Sequence, residues 1–184
     1  MNLSAKDETT EMILKAQKGD QQAFGELVHL YHHQVIDVVY RISGDAYLAD
    51  EAAQIAFIKA WKHLPEYQFH SNFRNWLYRI AVNSALDILR KEKPIENIDD
   101  VQIGSLEDNA DMIMNKKERI RVIQKAVLAL PEASRAVIVL REYHGLSYRE
   151  IADTLDISIG TVMSRLNYAR TKLAGMLADY LEET

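Results

Sequence analysis

The chain of 184 residues contains no cysteine. Disulfides, thiolate metal sites and cysteine nucleophiles are therefore excluded together, and the composition suits a reducing compartment. Proline and glycine are scarce, at 3 and 7 residues, and strand-like alternation is hard to find, so helical spacing dominates. No apolar stretch approaches the roughly 18 residues of a membrane span. The opening segment sets Lys6 against Asp7, Glu8 and Glu11 and lacks the apolar centre of a secretory leader. A soluble, cytoplasmic protein without membrane insertion is expected. Glycine-rich phosphate loops and a coherent Ser/His/Asp set are missing too, so the chain is read as no enzyme, with no catalytic residues and no cofactor.

A basic surplus is also lacking. The net charge is −5, which argues against a self-sufficient nucleic-acid binder. The distribution qualifies that. Between Ile95 and Asn115 stand six acids (Glu96, Asp99, Asp100, Glu107, Asp108, Asp111) and no Lys or Arg. Ile157 to Ala174 carries Arg165, Arg170 and Lys172 with no acid, and His70 to Lys93 carries five basic residues against Asp87 and Glu92. One acidic and two basic segments suit two weak DNA-binding surfaces that need a partner's help.

Apolar spacing predicts a helix over Glu11–Lys18 that is stopped by Gly19. Asp20 caps a longer helix reaching about Ile42, with Phe24, Leu27, Val28, Tyr31, Val35 and Val38 at helical intervals. Gly44-Asp45 makes a turn and an N-cap for a helix to about Leu64, and a loop leads to a helix over Asn72–Lys91. Pro94 to Asn115 is polar, acidic and aperiodic, as in a flexible tether. Helices resume near Lys116 and run to Leu130; Pro131 opens another, which Gly145 ends. The expected architecture is all-α. A first domain spans 1–93, a linker 94–116, and a second domain 117–184.

The sharpest local pattern is Leu146–Ala174. Ser147 and Glu150 form a Ser-x-x-Glu capping box, so a helix starts at Tyr148. Ile151, small Ala152 and Leu155 face inward, Asp156 tolerates the turn, Ile157 plugs the corner and Ser158 caps a second helix anchored by Val162 and Leu166. This spacing describes a helix-turn-helix, whose second helix enters the major groove. That helix offers Thr161, Met163, Ser164, Arg165, Asn167, Tyr168, Arg170 and Lys172 outward. The same pattern also fits a helical hairpin with a solvated basic face.

Upstream, Arg79, Asn83 and Arg90 share one side of the Asn72–Lys91 helix, near Tyr67, Phe69, His70, Trp76 and Tyr78. Cations interleaved with rings suit unstacked single-stranded bases, although Phe73 and Trp76 above all fit a core. Asp50, Gln54, Phe57 and Trp61 fall along one stripe of the preceding helix, which either docks a partner helix or carries both rings inward. His29, His32 and His33 have chelating spacing but no carboxylate on their turn; they are read as an exposed face, not a metal site.

Four stretches in order resemble the extracytoplasmic-function (ECF) sigma factors of bacterial RNA polymerase. Lys18–Phe24 resembles their opening, and Ala49–Gln54 with Phe57–Trp61 resembles their polymerase-binding helix. Phe73–Asn83 resembles their −10 segment. Leu130-Pro131, Gly145–Ala152 and Gly160–Val162 resemble their −35 domain.

The resemblance implies a transcription initiation factor that binds core RNA polymerase, melts the −10 element, reads the −35 element as duplex and is held by an anti-sigma factor. Carried over by position, Asp50, Glu51, Gln54 and Phe57 contact polymerase. Tyr67, Gln68, Phe69, His70, Ser71, Asn72, Arg79 and Asn83 handle −10 DNA, and Thr161, Ser164, Arg165, Tyr168, Arg170 and Lys172 meet −35 DNA. Ile55, His70, Met163 and Tyr168 depart from the usual residues. A helix-turn-helix regulator acting without polymerase is the competing reading; it leaves the Asp50–Trp61 stripe unexplained.

Overall fold

The computed structural model describes residues 3–70, 72–92 and 116–181. The acidic linker expected over 94–116 lies almost wholly outside the described residues, as does Ser71. The described chain is helical, with α1 Leu3–Gln17, α2 Gln21–Ser43, α3 Ala46–His63, α4 Phe73–Glu92, α5 Lys116–Leu128, α6 Glu132–Ile138, α7 Tyr148–Leu155 and α8 Ile159–Leu181. A 3-10 turn, Leu64–Glu66, follows α3, and a π-helical turn, Val139–Tyr143, extends α6. No strand occurs among the described residues.

The punctuation follows local chemistry. The Asp20 carboxylate accepts the N–H groups of Gln22 and Ala23 at 3.0 and 3.1 Å, and Asp45 does the same for Tyr47 and Leu48 at 2.7 and 3.1 Å. Between them Gly44 ends α2 at φ 77° and returns its N–H to the Tyr40 carbonyl. The first helix begins well before the expected Glu11, at Leu3. Its early residues lack the apolar period that would have marked a start.

In the N-terminal bundle, α2 supplies the large side chains Leu27, Tyr31, Val35, Val38 and Ile42, all buried. Its neighbour α3 answers with Ala49, Ala52, Ala53, Ala56 and Ala60, at most 1% exposed. Small side chains along one stripe let helix axes approach closely, which is how α3 sits between α2 and α4. Phe57 belongs to this packing, at 9% exposure with its ring 6.2 Å from that of His32. Leu77, Ala81, Val82 and Ala85 complete the core from α4.

The C-terminal bundle is built on α6 and α8, joined through Val137, Leu140, Ile151, Val162, Leu166 and Ala169, all buried. The α6 helix is shorter than the sequence suggests. Instead of running straight to Gly145 it widens into the π turn, where the Leu146 N–H reaches back to the Leu140 carbonyl at 3.1 Å.

Candidate DNA and partner surfaces

Residues of α3 that do not enter the core form a continuous strip. Asp50, Glu51 and Gln54 are exposed, and Gln54 donates to the Asp50 carboxylate at 3.0 Å across one helical turn. Ile58 extends the strip at 69% exposure, and Tyr47 flanks its start at 81%. These two large apolar groups stand open to solvent at either end of the polar trio. Of the four residues assigned to this face by position, Phe57 alone turns inward. Ile58 was legible: it stands at offset 8 from Asp50 and 4 from Gln54, on the same side.

The segment before α4 is braced from α1. The Gln17 carboxamide donates to the Leu64 and Tyr67 carbonyls at 3.0 and 2.8 Å. Tyr67 is buried among rings, with centroids 5.3 Å from Phe69, 5.5 Å from Phe73 and 5.0 Å from Trp76. Burial pushes its hydroxyl up to about 12. Gln68, Phe69, His70 and Asn72 are exposed, Phe69 at 51%. The loop thus presents one open ring on a platform of closed ones. Asn72 ends it by accepting the Arg74 N–H at 3.0 Å.

Along α4, Arg79, Asn83 and Arg90 are all exposed on one side, as their spacing requires. Arg90 pairs with Asp87 at 3.7 Å, and Arg79 reaches Asp156 of the C-terminal bundle at 3.7 Å. Tyr78, grouped by sequence with the candidate stacking rings, lies in the interior at 1% exposure. Asn75 is also buried, at 5%. Apolar periodicity could not mark a polar residue as interior.

The helix-turn-helix forms as its residues dictate. Ser147 Oγ accepts the Glu150 N–H at 3.2 Å, and the Glu150 carboxylate accepts the Ser147 N–H at 2.8 Å and its hydroxyl at 2.7 Å. Those bonds hold the Glu150 carboxyl below its usual value. Asp156 occupies the left-handed region at φ 55°, alone among the described non-glycine residues. Ser158 Oγ then accepts the Thr161 N–H at 3.0 Å to start α8.

On α8, Met163, Ser164, Asn167, Tyr168, Arg170 and Lys172 are exposed, while Thr161 and Arg165 are half-buried. Ser164 gives its hydroxyl to the Thr161 carbonyl at 3.0 Å, and the Lys172 ammonium lies 5.9 Å from the Tyr168 ring. Arg170 is held by Glu142 at 2.8 Å, with the Tyr148 hydroxyl beside it. The departures Met163 and Tyr168, at 55% and 43% exposure, give the face an apolar element. Among the described residues no group of three metal-ligating side chains gathers, around His29, His32 and His33 or elsewhere. None of the described helices is long and apolar enough to cross a membrane.

Two helical bundles, one presenting an aromatic loop before a basic helix and the other a helix-turn-helix, have the organisation of a sigma-70-type factor. The family model for sigma-70 region 2 matches residues 27–95, and that for sigma-70 region 4 matches 120–173. The chain is 34% identical to the ECF RNA polymerase sigma factor SigW of Bacillus subtilis over 181 residues, covering 91% of this chain and 95% of that protein. It is 37% identical to the ECF RNA polymerase sigma-E factor of Escherichia coli K12 over 179 residues, covering 89% and 92%. Among solved structures it resembles the sigma factor RpoE of Bartonella quintana, in complex with the anti-sigma factor NepR. There the TM-score is 0.65 at 25% identity, over 84% of this chain and 96% of that one. The chain belongs to the ECF RNA polymerase sigma factors, a family of transcription initiation factors.

Proposed function

We propose that this chain docks on core RNA polymerase through the α3 strip, opens the −10 element with the loop before α4 and the Arg79–Asn83 side of that helix, and reads the −35 element in the major groove with α8. The observation that carries this reading is the coexistence of a capped helix-turn-helix with a second exposed polar and apolar strip, Tyr47 to Ile58, that duplex recognition alone does not use. Asp50, Glu51 and Gln54 supply polar contacts to polymerase there; Phe57 supports the strip from beneath. At −10, Phe69 offers a stacking face, Gln68, His70 and Asn72 border it, and Tyr67 stiffens the platform; Ser71, assigned to the same role by position, lies outside the described residues. At −35, Thr161, Ser164 and Lys172 hold phosphates, while Arg165, Tyr168 and Arg170 approach base edges.

The reading makes the chain a cytoplasmic specificity factor with no chemistry of its own. Its net charge of −5 then has a reason, since affinity for the promoter is shared with the polymerase. An anti-sigma factor is the expected antagonist, by analogy with the complexed relative. The decisive experiment is binding to a promoter library with and without core polymerase, followed by transcription from the selected sequences. Specific binding is expected only with polymerase. In that system Asn83→Ala is expected to impair promoter opening while polymerase affinity stays near normal. Strong specific binding by the free chain identifies a stand-alone regulator instead.

A further inference from the structure

The centre of the outward face of α8 carries no charge. Gly160, Met163, Ser164 and Asn167 fall at offsets 0, 3, 4 and 7, which is one side of a helix, and all are exposed. Val162, Leu166 and Ala169, buried in the bundle, hold the opposite side down. The cations stand at the borders of this strip. Arg165 and Lys172 lie along one edge, with the Lys172 ammonium 5.9 Å from the Tyr168 ring. Arg170 lies along the other edge, bound by Glu142 at 2.8 Å.

Two members of the strip are not accounted for by the fold. Met163 is a long apolar side chain turned away from the core, at 55% exposure. Gly160 has no positive φ, and a Cβ there would meet only Ser158 Oγ, at an ordinary 3.7 Å. Packing therefore does not ask for glycine at this position, and alanine would suit a helix better. A bare backbone beside Met163 lets the helix come closer to whatever the strip faces. Ser164 is already occupied, since its hydroxyl turns back to the Thr161 carbonyl at 3.0 Å. That leaves the Met163 side chain and the Asn167 carboxamide as the groups free to meet a partner.

In the major groove each base shows a different edge. Guanine offers two acceptors, which suit Arg or Lys; adenine offers an acceptor and a donor, which match the Asn carboxamide; thymine offers a methyl group, which suits an apolar side chain. The strip holds partners for adenine and thymine and none for guanine. We propose that it reads neighbouring A·T pairs of the −35 element, with Met163 against a thymine methyl group, Asn167 on an adenine edge, and Gly160 allowing the close approach. This rests on the reading of α8 as the −35 helix and names the bases that its centre selects.

The test uses core polymerase bound to the full chain and the −35 sequence that this complex selects from a promoter library. Replacing one thymine at a time by deoxyuridine deletes only the methyl group. At one position affinity should fall roughly 4-fold, the worth of one buried methyl. That loss should disappear in Met163→Ala, which binds both duplexes alike. At a neighbouring adenine, 7-deazaadenine lacks the ring acceptor and should weaken parent binding about 5-fold, with little response in Asn167→Ala. Gly160→Ala should melt at a higher temperature yet bind the element more weakly, which separates contact from folding. A selected element without A·T pairs in its core, or thymine methyl groups whose removal costs nothing, overturns the proposal. So does a methyl or deaza effect that survives the matching alanine variant, and Gly160→Ala binding as tightly as the parent overturns the close approach. If Arg165→Ala and Arg170→Ala also leave −35 binding untouched, the reading of α8 itself fails, an outcome that no single-methyl result imitates.

Discussion

Protonation of His144 offers the most quantitative handle on the stability of the fold. Its side chain is 8% exposed, and burial pulls the imidazole from 6.5 down to about 4, against the attraction of Asp37 and with added repulsion from Arg41 and Arg74. The groups facing it are thus Asp37 and Arg41 from α2, with Arg74 and Tyr78 from α4. In the unfolded chain the ring returns to water and to its ordinary value. The folded form therefore prefers the neutral ring, and a proton binds more tightly to the unfolded form. The site's contribution to stability is fully present above 6.5, weakens as pH falls through that value, and the loss stops growing near 4.

Between about pH 7 and about pH 5 the unfolded chain gains about three-quarters of a proton at this site and the folded chain about a tenth, which costs the fold at most about 2 kcal/mol. The lowered Glu150 carboxyl stays ionised over that interval, so the bond it accepts from Asn75 at 2.7 Å does not titrate alongside. The denaturant midpoint should fall as pH drops over this interval, and His144→Gln, which cannot take the proton, should respond far less. A midpoint that ignores pH over this range, or an equal response in His144→Gln, refutes the reasoning.

Two further outcomes separate structural from contacting roles. Phe57→Ala removes a ring buried between α2 and α3, so it should destabilise the chain by about 3 kcal/mol in denaturant titration; lost polymerase affinity at unchanged stability would make Phe57 a contact after all. Ser147→Ala deletes the cap of α7 and both Ser147 hydroxyl bonds, with an expected cost of about 1 kcal/mol read from thermal melting. An unaltered midpoint there means that Glu150 alone holds the helix start.

Where local chemistry decides the backbone, the sequence was a sufficient guide. Asp20, Asp45 and Ser147 cap helices, Gly44 and Asp156 take left-handed conformations, and Ser158 starts α8, all as residue type and spacing suggest. Phe73 and Trp76 at the head of α4 were similarly readable as core, whereas the alanine stripe of α3 has no large apolar side chain to mark it. What escaped is the part fixed by tertiary contact. Asn75 and Tyr78 are polar or half-polar residues whose burial depends on Glu150 and His144, far along the chain. No periodicity within α4 could pair them. The π turn was hidden for a related reason: its widened geometry answers to Leu146 and Arg141, whose guanidinium bonds the Leu146 carbonyl at 2.8 Å, and not to a local composition. Phe57 shows the converse limit, since position in a motif does not say whether a ring touches the partner or supports the residues that do.

Three arginines of the two helices proposed to meet DNA already have carboxylate partners, and where those partners lie makes the two proposed surfaces unequal. Arg170 pairs with Glu142 inside its own bundle and Arg90 with Asp87 inside its own helix, whereas Arg79 of α4 pairs with Asp156 of the C-terminal bundle. All are substantially exposed, so each pair contributes no more than about 1 kcal/mol and a phosphate can replace the carboxylate. Removing one carboxylate frees only the arginine that it holds. Asp156→Asn should therefore strengthen single-strand binding while duplex binding by α8 stays the same. Parallel titrations of Asp156→Asn against single- and double-stranded DNA read this directly. An equal gain on both would mean that the lost charge acts on both surfaces at long range, and not through Arg79.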